Sequence, residues 1–380
     1  MLTAALLLLT ADVLDVDPAQ GPYFEIRQAV DAANDGDLIR VHPGTYAFFG
    51  VVGKSVEIRA AAPGSVSVLG TIRIQEVPAD GRVVVQGLNV EVPPFNNADA
   101  MVVSDCRGAV RVEDCDLVGR YYWAGVRVLD CDDVTFLETS MRSTADESHG
   151  LYVDGSAVTL WHCELTGQDA TVRSHSGGSG IYARESDLFL HGGTSRGGQG
   201  GPDDWDWSTQ TCDPAGSGGD GVTAWGGAVR VLDCALEPGY GGLGYDCFVG
   251  GPPGYDLYTT GTATLYAGEA LDLAAPALVQ EGDQVAIDAA GEVGDVVVLV
   301  LAPDTGRASL PGYVGDLHVG GPLGGSRRVF MGTGSGTLSL QMPQLAPFAV
   351  ERFFLQTYHL RAGEVVFGPT RSLTILDTAW

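Results

Sequence analysis

One short phrase, repeated along the middle of the chain, constrains the fold more than any other feature. It opens on a glycine at residues 125–128, 150–153, 180–183 and 221–224, and apolar side chains then alternate with others. Eight or nine residues after each glycine stands a second apolar–x–apolar triplet, at 134–136, 158–160, 188–190 and 229–231. An earlier copy, 100–103 followed by 110–112, has a slightly longer spacer. Alternation of period two marks short strands, because successive side chains point to opposite faces. Strands this short bury a face only by stacking on their neighbours. The glycine-to-glycine distances are 25, 30 and 41 residues, while the spacing within a unit hardly changes. The extra residues therefore fall in one loop region, as a solenoid allows.

Aligning the units gives inward columns Met101/Val126/Leu151/Ile181/Val222 and Val103/Val128/Val153/Ala183/Ala224, small or apolar throughout. A further column, Cys115/Thr139/Cys163/Gly193/Cys234, is small or apolar too. The pattern predicts an all-β chain built on a parallel β-helix. The 54 glycines among 380 residues are about twice the average share, which suits turn-dense β structure. With 45% hydrophobic residues the chain has the apolar content to bury a core. Its net charge of −27 argues against nucleic acid as a partner, since phosphate binding needs clustered Lys and Arg. Lys54 is the one lysine, against twenty arginines. A lysine-based general base is thereby confined to one position, because arginine resists deprotonation.

Residues 2–11 form an uncharged apolar run of signal-peptide length, too short to span a bilayer, and point to export. No later segment reaches transmembrane length. In residues 22–36, Ile26, Ala29, Val30 and Ala33 fall on one face of a helix that opens near Pro22 and stops at Gly36. A strand ending in a Pro-Gly turn follows at 37–46. Shorter strands are read at 55–59, 65–69, 71–74, 83–85 and 88–92. Two Gly-rich insertions, 192–219 and 239–254, read as long loops between coils. From 276 to 380 the pattern changes to strand-like runs at 284–287, 296–301, 328–331, 337–340, 352–357 and 372–376, separated by Pro and Gly clusters. This predicts a separate small β-sandwich.

The stretch FEIRQAVDAANDGDLIRVHPGTY, residues 24–46, resembles the opening of right-handed parallel β-helix proteins of the pectate-lyase-like superfamily. In that group a short helix caps the first coil and a strand ending in PGTY follows. The resemblance implies a right-handed β-helix over 12–268 with an N-terminal capping helix, followed by the C-terminal domain at 276–380. Residues 1–11 are set apart as the signal-peptide-like segment. It also implies secretion or a cell-surface place, and a substrate face along the strands walled by the long loops.

On that face the outward columns are Val102/Arg127/Tyr152/Tyr182/Thr223 and Ser104/Leu129/Asp154/Arg184/Trp225. Tyr152, Tyr182 and Trp225 beside Arg127 and Arg184 suit a glycan, with the arginines meeting carboxylates of an acidic sugar. Arg127, His149 and Asp154 are the candidate catalytic residues. Asp154 with Glu185, or Asp146 with Asp169, are the available carboxylate pairs for hydrolysis. The acids Asp130, Asp132 and Asp133, and Asp203, Asp204 and Asp206, could ligate Ca2+, with Arg127 or Arg173 as base in a lyase. The elements of the polygalacturonase pattern are not present together, with His149 and Gly150 its lone echo, and the pectin-esterase signature is not found. The expected function is an exported structural or glycan-contacting module, with an extracellular polysaccharide or cell-surface component as partner. The alternative is a polysaccharide lyase or hydrolase.

Seven cysteines leave at least one thiol free. Cys115, Cys163 and Cys234 are two coils apart from one another, at about 4.8 Å per coil, beyond disulfide reach. Cys106 and Cys131 match in adjacent coils and are placed to bridge. A staple between the long loops, Cys212 to Cys247, is the favoured disulfide.

Overall fold

The computed structural model describes residues 11–121, 123–206, 210–246, 249–303, 305–309, 313–319, 327–347 and 349–378. The apolar run at 2–11 lies outside these except for Ala11. The chain divides into two compact units. One comprises Asp15–Ala32 and Arg40–Leu271, and the other holds residues 272–378 with 11–14 and Ala33–Ile39.

The first unit is a parallel β-helix. Each coil contributes three strands, as in Met101–Ser104, Ala109–Glu113 and Asp116–Gly119. The middle strands stack into a ten-stranded sheet that ends at Thr262–Tyr266. The other two sets form a second sheet, joined through the long strand Val66–Gln75. That strand pairs with Leu88–Glu91 through its first half and with Met101–Ser104 through its second. Two short strands expected at 65–69 and 71–74 are thus one continuous strand. The inward columns pair in the expected register, Met101 with Val126, Leu151, Ile181 and Val222 in succession. All five of these side chains are fully buried. Each such side chain contributes roughly 1.5–3 kcal/mol of transfer free energy, so the stack needs no loop to hold it.

Between strands the chain turns corners, and the corners repeat as well. Asp105, Asp130, Gly155, Glu185 and Gly226 occupy one corner in successive coils, each with positive φ. Asp114, Glu138, His162, Gly192 and Asp233 occupy the next in the same way. Aspartate and glycine tolerate the left-handed conformation better than other residues. Among the described residues, eight of the chain's 48 acids stand at such positive-φ positions. At the opening end, the helix is Ile26–Ala32, shorter than the 22–36 read from spacing, with Ile26, Ala29 and Val30 buried.

The Gly-rich insertions are not loops. Residues 175–180, 197–203, 215–221, 237–243 and 249–255 are extended segments hydrogen-bonded to one another at every third residue. Gly198 and Gly201 donate their N–H groups to Gly178 and His175, and Gly219 and Gly216 donate to Gly198 and Gly201. Gly239 and Gly242 donate to Gly219 and Gly216, and Gly254 and Gly251 to Gly239 and Gly242. Parallel neighbours obey the same spacing, with Gly197, Gly200 and Asp203 donating to Glu237, Tyr240 and Leu243. A three-residue repeat with no internal hydrogen bonds is the geometry of a polyproline-II helix, and where such helices pack together only glycine fits the crowded contact. A Cβ on Gly198 would lie 2.0 Å from the carbonyl oxygen of Gln168, and one on Gly239 1.9 Å from that of Gly198. The insertions therefore form a two-layer glycine bundle. One layer leads away from strands Thr194–Arg196 and Ala235–Glu237, and the other leads into Ile181–Arg184, Val222–Trp225 and Leu257–Thr259.

The larger sheet of the second unit is mixed, in the order Asp272–Ala274, Gln284–Ala290, Ser335–Gln341, Arg327–Thr333, Val296–Ala302, Val350–Arg361, Glu364–Leu376 and Leu278–Gln280, and Thr305–Ser309 pairs with Asp316–Val319 apart from it. Val285, Ile287, Val297, Leu299, Leu355 and Leu373 meet in one core. Leu273, from the first strand of that order, joins them, and its carbonyl accepts from Arg371 Nε at 3.0 Å. The sheet thus folds back on itself, its two halves facing across the core as the layers of a β-sandwich.

Candidate functional site

Where the inner layer of the glycine bundle runs into the strands, it makes one wall of a groove of about 400 Å³. Tyr182, Thr223, Trp225 and Tyr258 reach it from the outward columns of three successive strands. Tyr255, Pro252 and Pro253 close it on the bundle side, with Ser179, Ser217 and Asp220 along its base. Trp225 and Tyr258 rings lie 5.2 Å apart, and Tyr255 and Tyr258 rings 6.0 Å apart. Trp225 remains 43% exposed and Tyr255 64%. Rings open to solvent beside hydroxyl groups form an amphipathic platform.

A chain of hydrogen bonds crosses the base. Thr223 Oγ1 donates to Asp220 Oδ2 at 2.6 Å, and Ser179 Oγ lies 2.9 Å from Thr223 Oγ1. The other oxygen of Asp220 accepts the N–H of Tyr255 at 2.8 Å. Sequence reasoning named Tyr182 and Trp225 but missed Ser179, Asp220, Tyr255 and Tyr258. Tyr258 was within reach, since it continues the Tyr182/Thr223 column by one coil. The others sit on polyproline-II segments, which carry no period-two pattern.

Beyond the groove, the aromatic column continues. Tyr152 and Tyr182 stack at 5.7 Å, and Trp123 meets Tyr152 edge-on at 5.6 Å. His149 stacks on Tyr182 at 4.7 Å. Its Nδ1 accepts the N–H of Ser179 at 2.9 Å. Burial pushes its pKa down to about 4, so the ring is neutral at pH 7 and Nε2 carries the proton. The lone pair a general base would use is already engaged.

Arg127, His149 and Asp154 do not line the groove. The Arg127 guanidinium lies over Tyr121 and binds Asp99, Nε to Oδ2 at 2.7 Å. Asp99 is buried, and desolvation pushes its pKa up to about 6 against the pull of Arg127. Arg184 faces Asp154 at 3.8 Å, and Tyr152 donates its hydroxyl to the same carboxylate at 3.3 Å. Arg173 binds Asp204 and Asp246. The three arginines proposed to meet a substrate or to act as base are each held by carboxylates of the protein itself.

The acidic candidates are likewise engaged. Asp146 accepts from Thr171 and His175, and Asp169 from the N–H of Gln199. Asp130 is a corner residue, Asp132 pairs with Arg107 at 2.8 Å, and Asp133 opens a strand and is buried. Asp203 is buried and accepts the N–H groups of Tyr245 and Asp246. The side chain of Asp206 lies outside the described residues. Among the described residues no group of three or more His, Cys, Asp or Glu is placed to hold a metal ion.

Cys106 and Cys131, expected to bridge, are free and buried. A thiol hydrogen bond between them lowers the pKa of Cys106 and raises that of Cys131. Cys212 is disulfide-bonded, and Cys247 lies outside the described residues.

No family model matches the chain, and no curated protein matches it. Among solved structures, a pectin methylesterase from Aspergillus niger is similar at 13% identity and a TM-score of 0.27, over 69% of this chain and 92% of that one. A superoxide reductase (neelaredoxin) from Ignicoccus hospitalis is similar at 10% identity and a TM-score of 0.17, over 28% of this chain and 81% of that one. Both scores are too low to carry an argument. No helix among the described residues is long and apolar enough to cross a membrane.

Proposed function

We propose that this protein is an exported β-helix module that binds an extracellular glycan in the groove between its strand face and its glycine bundle. The observation that carries this reading is the open aromatic platform of Trp225, Tyr255 and Tyr258 above the hydroxyl groups of Ser179 and Thr223. Sugar rings have apolar faces that stack on aromatic rings and hydroxyl edges that need hydrogen-bond partners, and the groove offers both. The glycine bundle supports the same reading. A wall fixed by a hydrogen bond at every third residue presents its side chains without the ordering cost of a free loop. The engaged state of Arg127, His149 and Arg173 favours contact over chemistry.

The experiment is binding of the purified protein to a glycan array, with Trp225→Ala beside the native chain. The reading expects retention of at least one glycan class by the native protein and its loss in the variant. Cleavage of a retained glycan, seen as new reducing ends or as absorbance from an unsaturated product, would replace this reading with the enzymatic one. Binding untouched by Trp225→Ala would move the site elsewhere.

A further inference from the structure

The proton arrangement along the groove base narrows the ligand class. Asp220 accepts at both oxygens, from the Tyr255 N–H and from the Thr223 hydroxyl. Thr223 has one proton, and it points to Asp220, so its oxygen is an acceptor toward Ser179. Ser179 must then donate its own proton to Thr223 across their 2.9 Å contact. What remains of the Ser179 hydroxyl for a ligand is its lone pairs. The carboxylate therefore sets the direction of the whole chain, and the base of the groove asks a ligand for hydrogen-bond donors.

Charge points the same way. Among the described residues, Asp220 is the only ionisable acid or base on this groove besides the phenols of Tyr182, Tyr255 and Tyr258, and no arginine, lysine or histidine lines it. A uronate carboxylate brought here would meet acceptors and a negative charge, and the chain's net charge of −27 adds long-range repulsion. An ammonium group would instead be drawn by that charge, since each oxygen of Asp220 keeps a lone pair beyond the donor it holds, so charge here disfavours acidic sugars and not amino sugars. We infer that the groove selects a glycan without acidic groups, read by its hydrogen-bond donors at Ser179 and by its apolar ring faces at Trp225 and Tyr258. The inference rests on the glycan reading above and narrows it away from the acidic sugars that Arg127 and Arg184 suggested.

The test is affinity electrophoresis of the native protein through gels containing an uncharged β-glucan, an uncharged mannan, polygalacturonate or a partly deacetylated amino-sugar polymer, each at low and high sodium chloride. Trp225→Ala and Thr223→Val are run alongside, with thermal melts to verify folding. Retardation by an uncharged polymer, unchanged by salt, or by the amino-sugar polymer is expected, with none by polygalacturonate. Trp225→Ala should weaken it about tenfold, and Thr223→Val, which frees the Ser179 proton, about three- to tenfold. Retardation by polygalacturonate, lost in Trp225→Ala and suppressed by salt, overturns this inference and leaves the glycan reading standing. Retardation by none of the four overturns both. If Thr223→Val does not fold, Ser179→Ala serves in its place, and undiminished binding by that variant sinks the role assigned to the base.

Discussion

At Arg127 the outward column placed the side chain correctly beside Tyr152, yet its role came from a residue no pattern marked. Asp99 lies one coil earlier, just before the strand Met101–Ser104, and is buried with Oδ1 lacking a hydrogen-bond partner. Its raised pKa means that folding is favoured below the unfolded value near 4 and that this contribution is lost as the pH rises through about 6. Arg127 offsets part of that loss by pairing with the charged form. Arg127→Leu should therefore destabilise the protein by about 3 kcal/mol at pH 8, where the carboxylate is stranded, and by much less at pH 5, where it takes up a proton. Urea unfolding of both proteins at the two pH values measures this, and an equal loss at each would refute it. The site was legible only as far as strand columns reach. Tyr182 and Trp225 stand in such columns, whereas Asp99, Ser179 and Asp220 belong to connections, where one side chain says nothing about the next.

The elements divide in the same manner. Columns such as Leu151 over Ile181 were legible because burial on one face forces alternation in every coil. The continuous strand Val66–Gln75 was not, since Gly70 within it reads as a break. The glycine bundle was present in plain view as glycines three apart, at 198 and 201, 216 and 219, 239 and 242, and 251 and 254. A spacing of three matches neither the period of two that marks a strand nor the 3.6 that marks a helix. The bundle's mechanics make a sharp prediction. Gly198→Ala puts a methyl group 2.0 Å from a backbone oxygen, and a backbone cannot step aside as a side chain can. The variant should lose about 2–4 kcal/mol, in the range of the more severe backbone effects, with faster amide exchange at Gly219 and Gly239. Gln199→Ala, one residue away on the exposed side, should change stability by less than about 0.5 kcal/mol. Similar behaviour of the two variants would mean that the three-residue lattice does not hold these segments.

For the molecule as a whole, acidification sets two effects against each other. A chain of net charge −27 repels itself, and protonating its carboxylates relieves that repulsion. Buried neutral histidines act in the opposite sense. His359 in the second unit is fully buried, and desolvation pushes its pKa down to about 4, with Asp295 at 3.6 Å pulling it up and Arg361 pressing it further down. Its folded pKa lies below the unfolded value near 6.5, so its contribution is present above pH 6.5 and is lost as the pH falls toward 4. Between pH 7 and pH 5 that loss amounts to about 2 kcal/mol. His149 in the β-helix shifts in the same direction for the same reason. His359→Leu removes the titrating ring while keeping an apolar side chain in its place. Whatever the variant does to stability at pH 7, the change between pH 7 and pH 5 should be less unfavourable than in the native protein by about that 2 kcal/mol. The repulsion term is common to both proteins and cancels in this comparison. Identical pH dependence would show that His359 titrates at the same pH in the folded and unfolded states, and the pull of the Asp295 carboxylate would then cancel the effect of burial.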